Sequence, residues 1–461
     1  MIPTVTVMGG GLAGSEAAWQ LARRGISVRL VEMKPLKRTP AQQTDHLAEL
    51  VCSNSLRSTN LNNAVGLLKE EMRRLDSLII HSALRARVPA GDALAVDRAA
   101  FAAAIGHALA ELPNITRQAR VVESLPPPEE GPVIVATGPL TDAALAADIV
   151  AVTGSERLYF YDALAPIVAG DSLNMSSLFA ASRYDKGNGS DYLNCPLSEG
   201  QYYTFVDALL AAECMPLHAF EEPRYFHACL PAEVVAAQGR DSLRFGAMKP
   251  VGLTDPRTGR WPYAVLQLRQ EDTHGQAYNL VGFQTKLKHT EQRRVFRSLP
   301  GLEGAEFLRL GAIHRNTYLD APALLDERMC LRARPHVRFA GQITGVEGYV
   351  ESAAHGLITA LLLASELVGT PMAPPPPACA LGALCAHVRG DLRLPGRRHE
   401  PQNVHWGMVP PTGAAASKQD AKRARVERAV LAFEAWAAGA GLPLLSGAAS
   451  GDSLRNQRGA A

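Results

Sequence analysis

The stretch VTVMGGGLAG, residues 5–14, carries the strongest structural signal in the chain. Its first half alternates valine with other side chains, which is typical of a buried strand. Gly9, Gly11 and Gly14 follow in the G-x-G-x-x-G pattern. Its glycines permit a tight turn, a close approach of backbone to phosphate, and close packing of the next helix. This order of strand, glycine turn and helix predicts a nucleotide-binding βαβ unit.

The residues after the glycine turn support this prediction. Apolar residues at helical spacing predict a helix over residues 15–24, which Gly25 ends. A second strand then ends at Glu32, at the distance expected for the acidic residue that accepts hydrogen bonds from ribose hydroxyls. The predicted cofactor-binding residues of this unit are Gly9, Gly10, Gly11, Leu12, Ala13, Gly14 and Glu32.

Two later strands end in turns that would bring backbone to the same ligand. The buried run VIVA ends at Thr137-Gly138, and the run VRFA ends at Gly341-Gln342, just before a long apolar helix. These four residues complete the predicted cofactor site. Because only one G-x-G-x-x-G stands in the right context, these features favour FAD over NAD as the resident cofactor. NADH or NADPH would then bind transiently over the flavin.

The chain changes character between about residues 155 and 305, where aromatic residues, prolines and short alternating runs predict an α+β insertion. The later strand and long helix resume the alternation of strands and helices seen at the start of the chain, which indicates that the insertion splits the first domain. The predicted fold class is therefore α/β, a split Rossmann-like FAD-binding domain, with a parallel sheet flanked by helices, and an α+β insertion domain. The predicted boundaries are 1–154 for the first part of the FAD-binding domain, 155–305 for the insertion, 306–445 for the second part with a basic C-terminal helix, and 446–461 for a disordered tail.

Composition excludes several classes of protein. The 461 residues are 47% hydrophobic and 20% charged, which excludes collagen-like and disordered chains. The longest apolar stretch is too short to cross a bilayer and no export signal is visible, so we expect a cytoplasmic protein with no membrane partner. The net charge of +2 does not by itself indicate a nucleic-acid partner. The seven cysteines include no C-x-x-C pair and no H-E-x-x-H is present, so no metal site is expected.

Two cysteines, Cys195 and Cys229, stand just before predicted helix starts, each with a proline close behind. A thiol at the positive end of a helix has a lowered pKa and is more often the reactive thiolate. A third, Cys52, lies in a polar loop near Arg57. The alternative for each is an inert buried thiol, and spacing alone does not separate Cys195 from Cys229.

Basic side chains are concentrated in two stretches, residues 286–297 and residues 418–428, the second on a predicted helix with apolar residues on its other face. Such stretches are either solvated helix faces or contacts for a phosphate backbone, and the charges alone leave both open. The candidate phosphate-binding residues are Lys286, Lys288, Arg293, Arg294, Lys418, Lys422, Arg423 and Arg425.

Long motifs throughout the chain resemble one known family. They include GGGLAGSEAAWQLARRG, ELVCSNSLRS, NAVGLLKEEMRRL, YFYDALAPIV, VGFQTKLK, HRNTYL and FAGQITGVEGYVESAAHG. The resemblance is to the folate- and FAD-dependent tRNA uracil-5-methyltransferases (TrmFO). It runs from about residue 3 to about residue 435 and includes the basic C-terminal helix. These motifs are far more specific than the glycine pattern.

The resemblance implies methylation of carbon 5 of a uridine in the T loop of tRNA. The carbon comes from 5,10-methylenetetrahydrofolate, and FAD reduced by NADH or NADPH supplies the electrons. It implies that Cys229 adds to carbon 6 of uracil. It also makes Cys52 a second essential thiol, which removes the carbon 5 proton or protects a methylene group carried by the flavin. Cys195 is then structural, His355 is a candidate to stack on folate, and the basic stretches contact tRNA.

Three alternatives remain. A related FAD-dependent family modifies the wobble uridine of tRNA and also uses folate, but its chains are longer and carry a C-terminal helical domain. An NAD(P)H:acceptor flavin oxidoreductase without a nucleic-acid substrate would explain the nucleotide motifs, but neither the thiols nor the basic helix. The third alternative is a non-catalytic flavoprotein that binds tRNA.

Overall fold

The computed structural model describes residues 2–155, 158–216, 230–393, 396, 398–411 and 417–446. Its strands are β1 Val5–Met8, β2 Val28–Glu32, β3 Ser55–Ser58, β4 Arg87–Val88, β5 Ala93–Val96, β6 Ile115–Ala119, β7 Val133–Val135, β8 Leu158–Ala163, β9 Ile167–Ala169, β10 Phe179–Ala180, β11 Tyr192–Leu197, β12 Ala264–Gln270, β13 Ala277–Leu280, β14 Phe307–Arg309, β15 Ile313–Tyr318, β16 Cys330–Leu331 and β17 Arg334–Phe339. Its helices are α1 Leu12–Ala22, α2 Ala64–Arg74, α3 Leu78–Arg85, α4 Arg98–Ala110, α5 Ala143–Thr153, α6 Glu199–Leu210, α7 Ala232–Ala237, α8 Ser242–Phe245, α9 His289–Phe296, α10 Ala321–Leu324, α11 Tyr349–Leu367, α12 Ala380–Arg389 and α13 Lys418–Gly439.

The first domain is built on a six-stranded sheet in the order β16-β17-β7-β1-β2-β6. The strands from β17 to β6 are parallel, and β16 at the edge is antiparallel to β17. Every residue of β1 is buried, as expected for a parallel strand covered on both faces. The glycine turn therefore follows a central strand of the sheet, which is where open α/β sheets bind nucleotides.

The long helix α11 belongs to the core of this domain. It packs along α1 so closely that a Cβ on Gly356 would lie 2.2 Å from the carbonyl oxygen of Ala13. Among the described helices it is the one long and apolar enough to cross a membrane by length and composition, but 83% of that window is buried inside the protein. Its apolar surface is therefore explained by packing within the fold.

The insertion forms a second six-stranded sheet, in the order β10-β11-β12-β13-β9-β14, with antiparallel pairing throughout. Helix α6 begins with a capping box in which Ser198 and Gln201 satisfy each other's backbone groups. Phe205 of this helix packs with Phe283 and Phe296 in a separate apolar core. This is the predicted α+β insertion.

The fold class is confirmed as a split Rossmann-like domain with an α+β insertion. The domain boundaries remain predictions, and β14 carries the insertion sheet past residue 305. An antiparallel ribbon of β8 and β15 connects the two parts, and β3, β5 and β4 form a small sheet; neither was predicted. Residues 447–461 of the predicted disordered tail lie outside the described residues.

Candidate functional site

A deep cleft opens where the carboxyl ends of β1, β2, β7 and β17 meet. It encloses about 1120 Å³ with its open mouth included, enough for a ligand of cofactor size. Of the predicted cofactor-binding residues, those that line it are Gly9, Gly11, Leu12, Ala13, Glu32, Thr137, Gly138 and Gln342. Gly10 and Gly341 stand beside them in the same turns, and Gly14 lies in the first turn of helix α1.

Two glycines of the G-x-G-x-x-G pattern are required by the protein's own packing. Gly9 has a φ of +100°, and a Cβ on it would lie 2.6 Å from the carbonyl oxygen of Ala136. A Cβ on Gly14 would lie 1.8 Å from the carbonyl oxygen of Gly9. Gly11 is different, because a Cβ there would meet no protein atom within 4 Å. The space at Gly11 belongs to the cleft, so a phosphate can approach its backbone.

Helix α1 begins in the wall of this cleft. Gly11 precedes its first residue and offers no side chain to cap the first N–H groups. Leu12 and Ala13, which follow, line the cleft. Uncapped N–H groups and the positive end of the helix dipole together favour an anion at this point. The geometry fits the pyrophosphate of a dinucleotide.

The carboxylate of Glu32 lies at the edge of the cleft and is 5% exposed. One oxygen accepts from the N–H of Gly10 at 2.6 Å, and the other accepts from the N–H of Lys34 at 3.0 Å. These bonds hold the carboxylate against the glycine turn, and each oxygen retains a lone pair for another donor. Its binding to ribose hydroxyls remains a prediction.

Gln342 enters the cleft from the turn after β17, and a buried acid fixes its amide. Its Nε2 donates to Oε2 of Glu347 at 2.6 Å. Burial, and next the Asp162 carboxyl, raise the pKa of Glu347 above its usual range. The residue types near Glu347 carry no local signal for this contact, and sequence reasoning missed it.

Three buried histidines hold the same turn, residues 341–345. His355 Nδ1 accepts from the N–H of Gly341 at 3.1 Å. His387 Nε2 donates to the carbonyl oxygen of Gly345 at 3.0 Å, and His399 Nε2 donates to that of Thr344 at 2.9 Å. The predicted stacking of His355 on folate does not agree with this placement, because its ring is fully buried in the core. Its contacts instead support the cleft-facing turn from behind.

Cys52 is half-buried beside the cleft, in the loop of residues 50–54, which we call the Cys52 loop. Its N–H donates to the hydroxyl of Tyr349 at 2.6 Å, and the N–H of Ser53 donates to the same oxygen at 3.1 Å. Tyr349 and Val51 both line the cleft. The main chain of Cys52 therefore lies beside the cleft, and Tyr349 is a contact that sequence reasoning missed.

The other two cysteines that the sequence singled out differ in position. Cys229 lies outside the described residues, but a helix does follow it, beginning at Ala232 with Pro231 as the preceding residue. A helix also follows Cys195, since α6 begins at Glu199, but Cys195 itself lies within β11 and is fully buried, away from the helix end. Burial raises the pKa of its thiol. This placement agrees with a structural role for Cys195.

The basic stretches lie on separate parts of the fold. Lys288, Arg293 and Arg294 are exposed on or beside α9 of the insertion, and Lys286 is half-buried. The second stretch begins α13, whose far end packs on α2. Here Lys422 and Arg423 are exposed and Arg425 is half-buried; the side chain of Lys418 lies outside the described part.

Several of these charges have acidic neighbours. Lys288 pairs with Glu213 at 2.5 Å, and Arg423 pairs with Glu427 at 2.9 Å. Exposed pairs of this kind are weak and exchange readily for a phosphate. Within the described ranges no group of three or more His, Cys, Asp or Glu is placed to hold a metal ion.

Comparison with known proteins identifies the family. The model of the family described as "Glucose inhibited division protein A" (GIDA) matches residues 4–371. The chain is 58% identical to the "Methylenetetrahydrofolate--tRNA-(uracil-5-)-methyltransferase TrmFO" of Anaeromyxobacter dehalogenans (strain 2CP-C), over 94% of this chain and 96% of that protein. The chain belongs to the TrmFO family. Identity to the TrmFO protein of Geobacter sulfurreducens is 54%, over 95% of this chain and 100% of that protein. The resemblance seen in the motifs is confirmed.

Solved structures agree with the architecture of this TrmFO-family chain. Aquifex aeolicus GidA, in its form II and form I crystals, is similar with a TM-score of 0.67 in each case, at 14% sequence identity. The two likenesses cover 99% and 96% of this chain, but 75% and 76% of the GidA chains. At this identity they show a shared fold, and about a quarter of GidA has no counterpart here.

The three histidines predict a loss of stability in acid for this member of the TrmFO family. Burial lowers the pKa of His387 to about 4, helped by the neighbouring His399. The unfolded chain therefore binds a proton between pH 6.5 and about 4 that the folded protein does not, so the free energy of unfolding falls as pH drops through this window. From this one residue we expect a loss of about 3 kcal/mol at pH 4 relative to pH 7.

His387→Gln keeps a donor for Gly345 and removes the titration. We expect its free energy of unfolding, measured by urea titration of the flavin-loaded protein, to fall less steeply between pH 7 and pH 4 than that of the wild type. His107, whose side chain is 77% exposed, provides the matched control, His107→Gln, with the wild-type slope. Equal slopes for His387→Gln and the wild type would contradict the prediction.

Proposed function

We propose that this protein transfers a one-carbon unit from 5,10-methylenetetrahydrofolate to carbon 5 of a uridine in the T loop of tRNA. FAD, reduced by NADH or NADPH, supplies the electrons. The observation that carries this proposal is the 58% identity over 94% of the chain to a protein named methylenetetrahydrofolate–tRNA-(uracil-5-)-methyltransferase. A tRNA substrate is also consistent with the expected cytoplasmic location.

The cleft fits FAD at residues of this chain. The N–H groups of Leu12 and Ala13 would bind the pyrophosphate, and Glu32 would accept from the ribose. Thr137-Gly138 and Gly341-Gln342 would contact the cofactor from two further strand ends. When bound, FAD accepts a hydride from the nicotinamide nucleotide and delivers reducing equivalents to the one-carbon unit.

Two thiols would carry the chemistry on uracil. Carbon 5 of uracil is a poor nucleophile until another group adds to carbon 6, and a thiolate is suited to that addition. The Cys229 thiolate would form the sulfur–carbon 6 bond. Once carbon 5 has bonded to the one-carbon unit, its proton must leave before the sulfur–carbon 6 bond breaks and releases Cys229. Cys52, held beside the cleft by Tyr349, is the candidate to take that proton.

The basic stretches would bind the tRNA backbone, and α13 offers the more direct test. Charge reversal at Arg423 and Arg425 should weaken tRNA binding and reduce the slope of log K against log salt by about 1 for each lost phosphate contact. Fluorescence anisotropy with labelled tRNA at several salt concentrations measures both quantities. The matched control is charge reversal at Arg85 and Arg87, which are exposed elsewhere. If the α13 variant binds tRNA as tightly as the wild type at low salt, the basic residues of α13 form a solvated helix face and do not contact tRNA.

One assay separates the proposed activity from its alternatives. The FAD-loaded protein is incubated with tRNA lacking T-loop modification, NADH or NADPH, and 5,10-methylenetetrahydrofolate labelled in its one-carbon unit. We expect label in 5-methyluridine of the T loop. Label on the wobble uridine would favour the related wobble-modifying activity. Oxidation of NADH or NADPH without labelled tRNA would favour a simple flavin oxidoreductase, and no turnover would favour a binding protein.

A further inference from the structure

The main chain of the Cys52 loop is held by guanidinium groups as well as by Tyr349. Nη1 and Nη2 of Arg309 donate to the carbonyl oxygens of Val51, at 2.9 Å, and Cys52, at 2.7 Å. Arg98 donates to the same Cys52 oxygen from another direction, at 3.1 Å. With Tyr349 on its N–H, Cys52 therefore has both main-chain polar groups bound. These contacts fix the direction of the Cα–Cβ bond and leave the sulfur unoccupied by them.

Arg309 reaches this loop from the other domain. It ends β14, the edge strand of the insertion sheet, whereas the Cys52 loop belongs to the nucleotide-binding domain. The pairing of β14 with β9 shifts register between Phe307 and Arg309. Irregularities of this kind redirect a side chain away from its regular alternation, and they are frequent beside active sites. The edge of the insertion sheet is therefore shaped to present this guanidinium to the loop.

The charge of Arg309 is costly where it lies. Arg98 has a carboxylate partner, Glu271, at 2.5 Å. The ion pairs of the described residues include none for Arg309, and its Nε is a buried atom without a hydrogen-bond partner. Burial, followed by the nearby Arg98, lowers the pKa of Arg309. A partly buried guanidinium without an ion-pair contact costs folding free energy, and such costs are typical of functional positions.

We propose that Arg309 is a positioning residue for Cys52: by binding the carbonyl oxygens of residues 51 and 52 from the insertion domain, it sets the thiol at the edge of the cleft in the geometry that methyl transfer needs. This inference rests on the proposed function and adds to it a part for the insertion domain. The thiol comes from one domain, and its orientation depends on the other.

Arg309→Met removes both hydrogen bonds and keeps much of the side-chain volume. Because a displacement of about 1 Å can reduce a rate on the order of 100-fold, we expect kcat for methyl transfer to fall by a factor of that order. The KM values for tRNA and folate, and the FAD content, should stay within about twofold of the wild type, since Arg309 does not line the cleft. The kcat of Arg309→Lys should lie between those of Arg309→Met and the wild type. Added guanidinium ion should partly restore the activity of Arg309→Ala.

Arg334 provides the matched control, because its guanidinium also donates to a main-chain carbonyl, that of Leu125 at 3.2 Å, at another edge of the protein. Arg334→Met should keep the wild-type kcat. The proposal is overturned if Arg309→Met retains kcat within threefold, or if its loss of activity lies in the KM for tRNA.

A second measurement does not depend on methyl transfer. In hydrogen exchange of the flavin-loaded protein, the amides of Cys52 and Ser53 should exchange at least about tenfold faster in Arg309→Met than in the wild type or Arg334→Met, as expected for loss of charge-assisted bonds. Unchanged exchange would overturn the positioning role even if methylation of tRNA is confirmed. Faster exchange in a protein that does not methylate tRNA would instead contradict only the proposed function.

Discussion

Replacing Cys229 with alanine will abolish methyl transfer to tRNA while the purified protein keeps its flavin. Without a thiolate to add at carbon 6, carbon 5 of uracil has too little electron density to attack the one-carbon unit. Loss of a catalytic nucleophile typically lowers kcat by at least about 1000-fold, so no product above background is expected. Single-turnover assays with labelled methylenetetrahydrofolate measure the transfer, and the absorbance of bound flavin measures cofactor content.

The roles of the thiols can be separated with tRNA that carries 5-fluorouridine in the T loop. Fluorine cannot leave carbon 5 as a proton does, so the sulfur–carbon 6 bond should persist, and protein and RNA should stay joined in a denaturing gel. We expect this complex with the wild type and with Cys52→Ala, but not with Cys229→Ala. Cys214→Ala, another half-buried thiol, should methylate normally. If Cys229→Ala forms the complex and Cys52→Ala does not, then Cys52 is the thiol that adds to carbon 6, and the assignment of the two cysteines must be reversed.

Local patterns predicted the parts of the fold that local physics determines. The alternation in β1 and the helical spacing of apolar residues in α1 follow from periods of two and 3.6 residues. Asp97 is a residue type that favours helix starts, and it caps α4 by accepting from the N–H of Ala100. The small sheet of β3, β4 and β5 escaped prediction because β4 has only two residues and β3 pairs with β5 across a register shift, which no local pattern encodes.

The parts of the candidate site that come from one continuous segment could be predicted from the sequence. The parts that come from residues far apart in the chain could not. The glycine turn and Glu32 lie within one βαβ unit, so spacing alone indicated them. Tyr349 and Arg309 reach Cys52 from positions more than 250 residues away, and no local pattern encodes such contacts. His355 shows a second limit of the sequence. A histidine near a predicted turn can face the ligand or the core, and only the packing of the folded protein determines which.

Replacing Gly14 with alanine should weaken FAD binding and lower stability together. The new Cβ would lie 1.8 Å from the carbonyl oxygen of Gly9, a backbone atom that cannot rotate away, so α1 must shift from β1. That shift displaces Leu12 and Ala13, which would bind the pyrophosphate. Overpacking of this kind costs about 1–3 kcal/mol in stability. An equal loss of binding free energy would raise the Kd for FAD roughly 10- to 100-fold. Thermal melting of the apoprotein and FAD titration measure the two effects.

Substitutions at Gly11 and Gly106 distinguish a glycine that is needed for FAD binding from one that neither FAD binding nor the fold requires. A Cβ at Gly11 meets no protein atom within 4 Å, so Gly11→Val should melt like the wild-type apoprotein yet lose FAD, because its side chain would occupy the phosphate's space. Gly106 in α4 is equally open but distant from the cleft, so Gly106→Ala should keep FAD and gain up to about 1 kcal/mol of stability from helix propensity. Since both positions are open in the protein, only a ligand bound at the start of α1 can make their variants differ in flavin content. Normal FAD affinity in Gly11→Val would therefore show that the pyrophosphate does not lie against this turn.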